Sequence, residues 1–84
     1  MKVYIVSNEY NTEYESESSI RGVYDSMEKA QDVISDLYHD DCDWLQELIP
    51  EGKEFAENTR EENYTYIQYD CYWSKNWVEE FDVE

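Results

Sequence analysis

The excess of acidic side chains is the feature that most restricts how this chain can fold. Twenty-two Asp and Glu residues stand against six Lys and Arg residues in 84, which gives a formal net charge of −16. Self-repulsion at such a charge costs a compact state stability. The core must therefore come from large side chains, and the chain carries nine Tyr, three Trp and two Phe, each of which buries a large area. We expect one domain over residues 1–84, because so short a chain has room for a single core.

The same charge excludes several classes of function. Phosphate binding requires clustered Lys and Arg, and the six basic residues are scattered along the sequence, so nucleic acids and anionic membranes are not expected ligands. No apolar run approaches the roughly 20 residues that a membrane-spanning helix needs, and no signal peptide is recognisable. We therefore expect a cytoplasmic protein in which Cys42 and Cys71 stay reduced.

The hydrophobic pattern predicts an α+β fold, with an antiparallel sheet of about four strands packed against one main helix. Residues 3–6 are apolar and β-branched and predict a first strand, which pairs with residues 20–24 after a polar loop. Aromatic residues alternate over residues 64–73, and alternation returns over residues 77–83. A turn at residues 74–76 would make the C-terminus a β-hairpin.

Helical spacing is clearest between residues 27 and 39. Apolar residues recur there on one face, at Met27, Ala30, Val33, Ile34, Leu37 and Tyr38. Asp25 or Ser26 can cap the start, and Asp25 is followed three residues later by Glu28, as in a capping box.

The acidic run at residues 39–43 is expected to end this helix. A second, short helix is predicted over residues 44–49, because Pro50 and Gly52 would stop it. Residues 51–63 are interpreted as a surface connection.

Three segments resemble a loose group of small acidic proteins from bacteriophages and Firmicutes. They are MKVYIV at residues 1–6, GVYDSMEKA at residues 22–30, and the aromatic C-terminal hairpin. The resemblance implies a phage-like setting and a strand–helix–strand core, and it brings no catalytic residues. Small acidic phage proteins often inhibit host enzymes, in some cases by mimicking nucleic acid. The resemblance therefore implies an inhibitor of a restriction, repair or CRISPR enzyme and a role in evading host defence.

The sharpest functional candidate is a row of carboxylates on the polar side of the predicted helix. Glu28, Asp32, Asp36 and Asp40 follow one another at four-residue spacing, which is about 6 Å along a helix axis. Like charges at this spacing destabilise a helix by about 0.2–0.5 kcal/mol per pair, whereas lysines at alternate positions would stabilise it. The row either presents negative charge in place of phosphates or is an ordinary solvated face.

Further candidates for partner binding lie outside the helix. Glu13, Glu15 and Glu17, together with Glu9, lie in the predicted first loop, and Glu79, Glu80, Asp82 and Glu84 close the chain. Tyr64, Tyr66 and Tyr72 are predicted to share one side of the alternating strand, with Ile67, Tyr69 and Trp73 on the core side. Tyrosine is enriched at interface hot spots, so the Tyr side either contacts a partner or packs at the sheet edge.

No catalytic, cofactor-binding or metal-binding constellation is recognisable. Residues 39–43 contain His, Cys and Asp, but their spacing is not that of a zinc site or a calcium loop. With only two glycines there is no glycine-rich phosphate cradle. We expect neither an enzyme nor a cofactor.

The sequence thus predicts a phage-type inhibitor that binds a basic, nucleic-acid-binding protein, in the host bacterial cytoplasm if a phage encodes it. Carboxylates would replace phosphates in contacts with Arg and Lys. The alternative is a small structural or regulatory interaction module without mimicry, in which acidity serves only solubility. The oligomeric state stays open.

Overall fold

Strands from both ends of the chain form one sheet, and a single long helix covers one side of it. The computed structural model describes residues 1–83. Its elements are β1 (Lys2–Asn11), β2 (Ser16–Tyr24), α1 (Met27–Leu48), β3 (Glu57–Arg60), β4 (Tyr64–Tyr69) and β5 (Tyr72–Asp82). The sheet order is β2-β1-β5-β4-β3, and all neighbours are antiparallel. The predicted α+β class and antiparallel sheet are confirmed, with five strands where about four were expected.

The helix is one element of 22 residues, so the predicted break at residues 39–43 and the separate second helix are wrong. Its inward positions continue at intervals of three and four residues. They are Ala30, Ile34, Tyr38, Asp41 and Leu45, all buried. Asp41 takes a place where the pattern requires an apolar residue, and its charge hid the continuity of the helix.

The structure shows which of the two candidate residues caps the start of α1. Ser26 is the N-cap, and its Oγ accepts a hydrogen bond from the Lys29 backbone N–H at 3.2 Å. Asp25 instead pairs with the Lys29 ammonium, at 2.8 Å. That pair lowers the pKa of Asp25 and raises the pKa of Lys29, mainly through the hydrogen bond between them.

The C-terminal hairpin turns earlier than its sequence pattern predicted. Tyr69 pairs with Tyr72, and the chain reverses at Asp70 and Cys71, with Asp70 at φ +55°. Asp is among the few residues that tolerate this left-handed region. The predicted turn at residues 74–76 is therefore wrong, and this segment lies within β5.

Two further segments are more extended than expected. Most of the predicted first loop is strand, because β1 and β2 pair as far as Asn11 and Ser16. The predicted pairing of the first two strands is confirmed. β3 lies in the predicted surface connection and pairs with β4. Its sequence, ENTR, has no apolar residue, so hydrophobic alternation could not indicate a strand.

The core between helix and sheet has two apolar clusters separated by polar residues. One cluster contains Val6, Ala30 and Ile34, and the other contains Tyr38, Leu45 and Ile67. Along β5, the buried Ser74 and Asn76 stand between Tyr72 of the second cluster and Val78 of the first. The middle of this small core is therefore hydrogen-bonded and not purely apolar.

Candidate interaction surfaces

The side of α1 that faces away from the sheet carries a continuous row of exposed carboxylates. This outer carboxylate row consists of Glu28, Asp32, Asp36, Asp40, Asp43 and Glu47. At 100° and 1.5 Å per residue, the six positions lie within about 120° of arc and span about 28 Å. The four residues predicted from sequence are all present, and the uninterrupted helix adds Asp43 and Glu47.

The row has no cationic partner within residues 1–83. The ion pairs of that part of the chain join Lys2 to Glu80, Lys29 to Asp25 and Lys75 to Glu9. Lys29 is the single Lys or Arg residue of α1, and it is paired with Asp25 at the preceding turn. The full negative charge of the outer carboxylate row therefore faces solvent.

Three of the predicted loop acids lie near the tip of the β1–β2 hairpin, where tyrosine hydroxyls donate hydrogen bonds to them. The Tyr10 hydroxyl donates to Glu17 Oε2 at 2.9 Å and to Glu15 Oε1 at 3.4 Å. The Tyr72 hydroxyl donates to Glu13 Oε2 at 3.3 Å. Tyr72 packs against the second core cluster, so it lies on the helix side of the sheet. The prediction that it shares a side with Tyr64 and Tyr66 is wrong, because the turn at residues 70–71 reverses the alternation.

The acids of the last strand do not extend the outer carboxylate row. Glu79 pairs in register with Ile5, on the side of the sheet away from the helix. Glu80 forms an exposed ion pair with Lys2 at 3.5 Å. Asp82 is exposed at the end of β5, and Glu84 lies outside the described residues.

The side of the sheet away from α1 is aromatic at its centre. In the antiparallel register Tyr64 lies opposite Trp77, and Tyr66 lies opposite Lys75. The Lys75 ammonium lies 5.7 Å from the ring centroid of Trp73 and 5.4 Å from that of Trp77, within the range of cation–π attraction. Trp73 was predicted in the core but lies on this side. Sequence alternation did place Tyr64 and Tyr66 on the side opposite Ile67.

Apolar side chains continue this surface, which we call the open face. They are Val3 and Ile5 on β1, Ile20 and Val23 on β2, and Phe81 on β5. Ile20 is 65% exposed and Val23 is 58% exposed. No element of residues 1–83 packs over the open face, since α1 contacts the strands only from the other side.

Partial burial shifts the pKa values of several side chains, among them Tyr66 on the open face and Cys42 on α1. Burial raises the pKa of the Tyr66 phenol, and the neighbouring Glu57 carboxylate adds to the rise. Burial also raises the pKa of the Cys42 thiol. Cys42 and Cys71 are both free thiols, and Cys71 is exposed at the β4–β5 turn.

Asp41 anchors a buried hydrogen-bond network between α1 and the sheet. Its Oδ2 accepts from Ser74 Oγ at 2.7 Å and from Asn76 Nδ2 at 2.8 Å, and its Oδ1 accepts from the Trp44 indole at 3.2 Å. Asn8 Nδ2 donates to Asn76 Oδ1 at 2.8 Å. These bonds satisfy a carboxylate that is only 9% exposed, so it locks the helix to the middle of the sheet.

A cavity of about 250 Å³ opens beside this network, lined by Asn8, Tyr10, Thr12, Arg21, Asp41 and Trp44. Every buried side-chain nitrogen and oxygen of residues 1–83 already has a hydrogen-bond partner. The buried polar groups in the cavity wall are therefore already paired. Within the same residues, no group of three or more His, Cys, Asp and Glu side chains is placed to hold a metal ion.

Comparison with known proteins identifies a family but no function. Residues 1–47 match the family described as Domain of unknown function (DUF7336), and because this is more than half of the chain, the protein belongs to that family. The match covers β1, β2 and nearly all of α1. No curated protein and no solved structure matches the chain significantly. The helix in the described part of the chain does not combine the length and apolarity needed to cross a membrane.

Sequence reasoning missed the extension of the acidic row and the role of Asp41. The signal for both was the spacing from Ala30 through Ile34, Tyr38 and Asp41 to Leu45, which repeats every three or four residues. An acid at one inward position is compatible with a helix when polar residues on the sheet face it. Ser74 and Asn76 supply those groups.

Proposed function

We propose that this protein is an inhibitor that binds a basic, nucleic-acid-binding protein and occupies its nucleic-acid site with the outer face of α1. The observation that carries the proposal is the outer carboxylate row: six acids on one side of one helix, none of them paired with a cation within residues 1–83. Carboxylates accept charge-assisted hydrogen bonds from Arg and Lys as phosphates do. The target class is a nuclease or repair enzyme with a basic channel.

The spacing of the charges supports mimicry of one strand. The outer carboxylate row spans about 28 Å, so its mean axial spacing is about 5.7 Å per charge. One strand of duplex DNA carries a charge about every 3.4 Å along the axis. The helix therefore presents a linear array of the same sign at about 60% of the charge density, enough for several Arg and Lys contacts.

The arrangement of the row is costly for the helix, which favours a function for it. Three successive pairs of like charges, from Glu28 to Asp40, stand four residues apart, and each pair destabilises the helix by about 0.2–0.5 kcal/mol. Solubility does not require the row, because the formal net charge would still be −10 without its six acids and a magnitude of about 2–8 is enough. The fold retains the repulsion on a face that has no structural use for it.

The proposal has a test with a matched control. The reversal E28K/D32K/D36K and the control reversal E51K/E54K/D82K each change the net charge from −16 to −10. The control positions are exposed and lie off the helix. Each tagged chain is used to capture proteins from a bacterial lysate, and bound proteins are then challenged with duplex DNA and with high salt.

We expect the wild type and the control to retain a basic protein, which DNA and salt both displace, and the helix variant to lose it. Equal loss in both variants would support the alternative, an acidic interaction module in which only bulk charge matters. Capture that survives both high salt and DNA would contradict mimicry.

A further inference from the structure

We propose that a second copy of this chain covers the open face, so that two sheets pack against each other and the two α1 helices lie on the outside. The proposal is independent of the proposed function, because it concerns the opposite side of the molecule. It rests on the composition of the open face, on its area and on the distribution of charge.

The composition of the open face is unlike that of the rest of the surface. Nine apolar or aromatic side chains lie on it: Val3, Ile5, Ile20, Val23, Tyr64, Tyr66, Trp73, Trp77 and Phe81. Among the acids of the described strands, only Glu9, Glu57 and Glu79 face this way. A solvated face of an antiparallel sheet is normally polar, and contiguous exposed apolar patches of this kind mark interaction sites.

The area of the open face fits a stable dimer. Five strands about 4.8 Å apart are about 24 Å wide, and their mean length of eight residues is about 26 Å at about 3.3 Å per residue, which gives about 630 Å² per copy. Standard protein interfaces bury about 800 Å² per partner. Stacked sheets lie about 10 Å apart with interdigitated side chains, and two open faces could pack in this way.

The low charge of the open face gives a basic partner little advantage there, so the apolar side chains decide what covers it. Lys75 lies 4.0 Å from Glu9 and close to both indoles, so the open face carries a net charge of −2 from Glu9, Glu57, Glu79 and Lys75. A cationic protein gains little there and much more at the outer carboxylate row. In the stacked arrangement two sheets separate the helices by about 30 Å, if each layer is about 10 Å from the next. This is several Debye lengths at physiological salt.

The residual repulsion between two copies sets the direction of the salt effect. Added salt screens that repulsion and leaves the apolar contact in place. The dimer should therefore tighten as salt rises, whereas binding to a basic protein should weaken. The opposite directions separate failure of this inference from failure of the proposed function.

Sedimentation equilibrium on the full chain tests the inference at 50 mM and 500 mM NaCl. We expect a species of twice the monomer mass of 10.2 kDa, with a Kd that falls about tenfold between the two salt concentrations. Trp77→Glu should abolish the dimer. Gln46→Glu, which adds the same charge at an exposed position of α1, should preserve it.

A second variant guards against a folding defect in the first. Ile20 is 65% exposed, so Ile20→Glu costs the monomer little and should still weaken the dimer at least tenfold. A monomer at both salt concentrations at 0.5 mM protein overturns the inference. So does a dimer that weakens with salt, or one that both open-face variants leave intact.

Discussion

The outer face of α1 and the open face of the sheet lie on opposite sides of a molecule only two layers thick, with Cα extents of 49 × 23 × 15 Å. The exposed part of α1 from Glu28 to Glu47 has six acids and no apolar side chain. The open face has nine apolar or aromatic side chains and three acids. The acidity of the chain is therefore directional, and a net charge alone does not describe what each side can bind.

The largest effect on the free energy of unfolding is expected at Asp41, the acid of α1 that faces the sheet. Asp40 and Asp41 are neighbours in sequence, but Asp40 is exposed and Asp41 is 9% exposed. Asp41→Ala should lower the free energy of unfolding by about 3 kcal/mol, because the donors of Ser74 and Asn76 stay buried without an acceptor. Asp40→Ala should change it by less than about 0.5 kcal/mol. Urea denaturation measures both, and equal effects would contradict the separation of the two sides of α1.

An intermediate effect on stability is expected from a substitution on the outer face of α1. Asp36→Lys replaces two repulsive i,i+4 pairs, with Asp32 and Asp40, by two attractive pairs. The variant should gain about 1 kcal/mol in stability while it loses affinity for a basic partner. Glu54→Lys, in the exposed loop after α1, is the charge-matched control and should not gain from helix pairing. Thermal unfolding at low salt compares the two, and a helix variant no more stable than wild type would show that the row imposes no strain.

The smallest effect on stability is expected from a substitution on the open face. Lys75→Met keeps the aliphatic stem but removes the ammonium from Trp73, Trp77 and Glu9. We expect a loss of about 0.5–1 kcal/mol. Lys53→Met, in the exposed loop after α1, should have almost no effect. Urea denaturation at a concentration where a single species sediments makes the measurement, and identical midpoints for the two variants would contradict a role of Lys75 in ordering the indoles.

Much of the fold could be predicted from sequence, and the errors share a physical cause. Local periodicity and capping predict the first strand pair, the start of α1 and the first four acids of the outer carboxylate row. The position of the C-terminal turn could not be predicted in this way, because the aromatic alternation continues across residues 70–71 without interruption. Asp41, Ser74 and Asn76 are polar residues in core positions. Their burial depends on one another across the fold, and local patterns do not report such pairs.

The tyrosines illustrate the same limit for the candidate site. Alternation placed Tyr64 and Tyr66 together, and they do share the open face. Tyr72 directly follows the reversal of the chain at residues 70–71, so its side could be known only after the turn was located. The open face as a whole was missed because it depends on the pairing of β1 with β5, which joins two hairpins that are distant in sequence.

The position of β5 has a consequence for how the protein is made. This last strand is hydrogen-bonded to β1 on one side and β4 on the other, and Lys2 is paired with Asp82. A nascent chain therefore cannot complete this sheet until Asp82 has left the ribosome. Contacts between residues so far apart in sequence slow folding, and one edge of β1 stays unpaired until β5 has been synthesised.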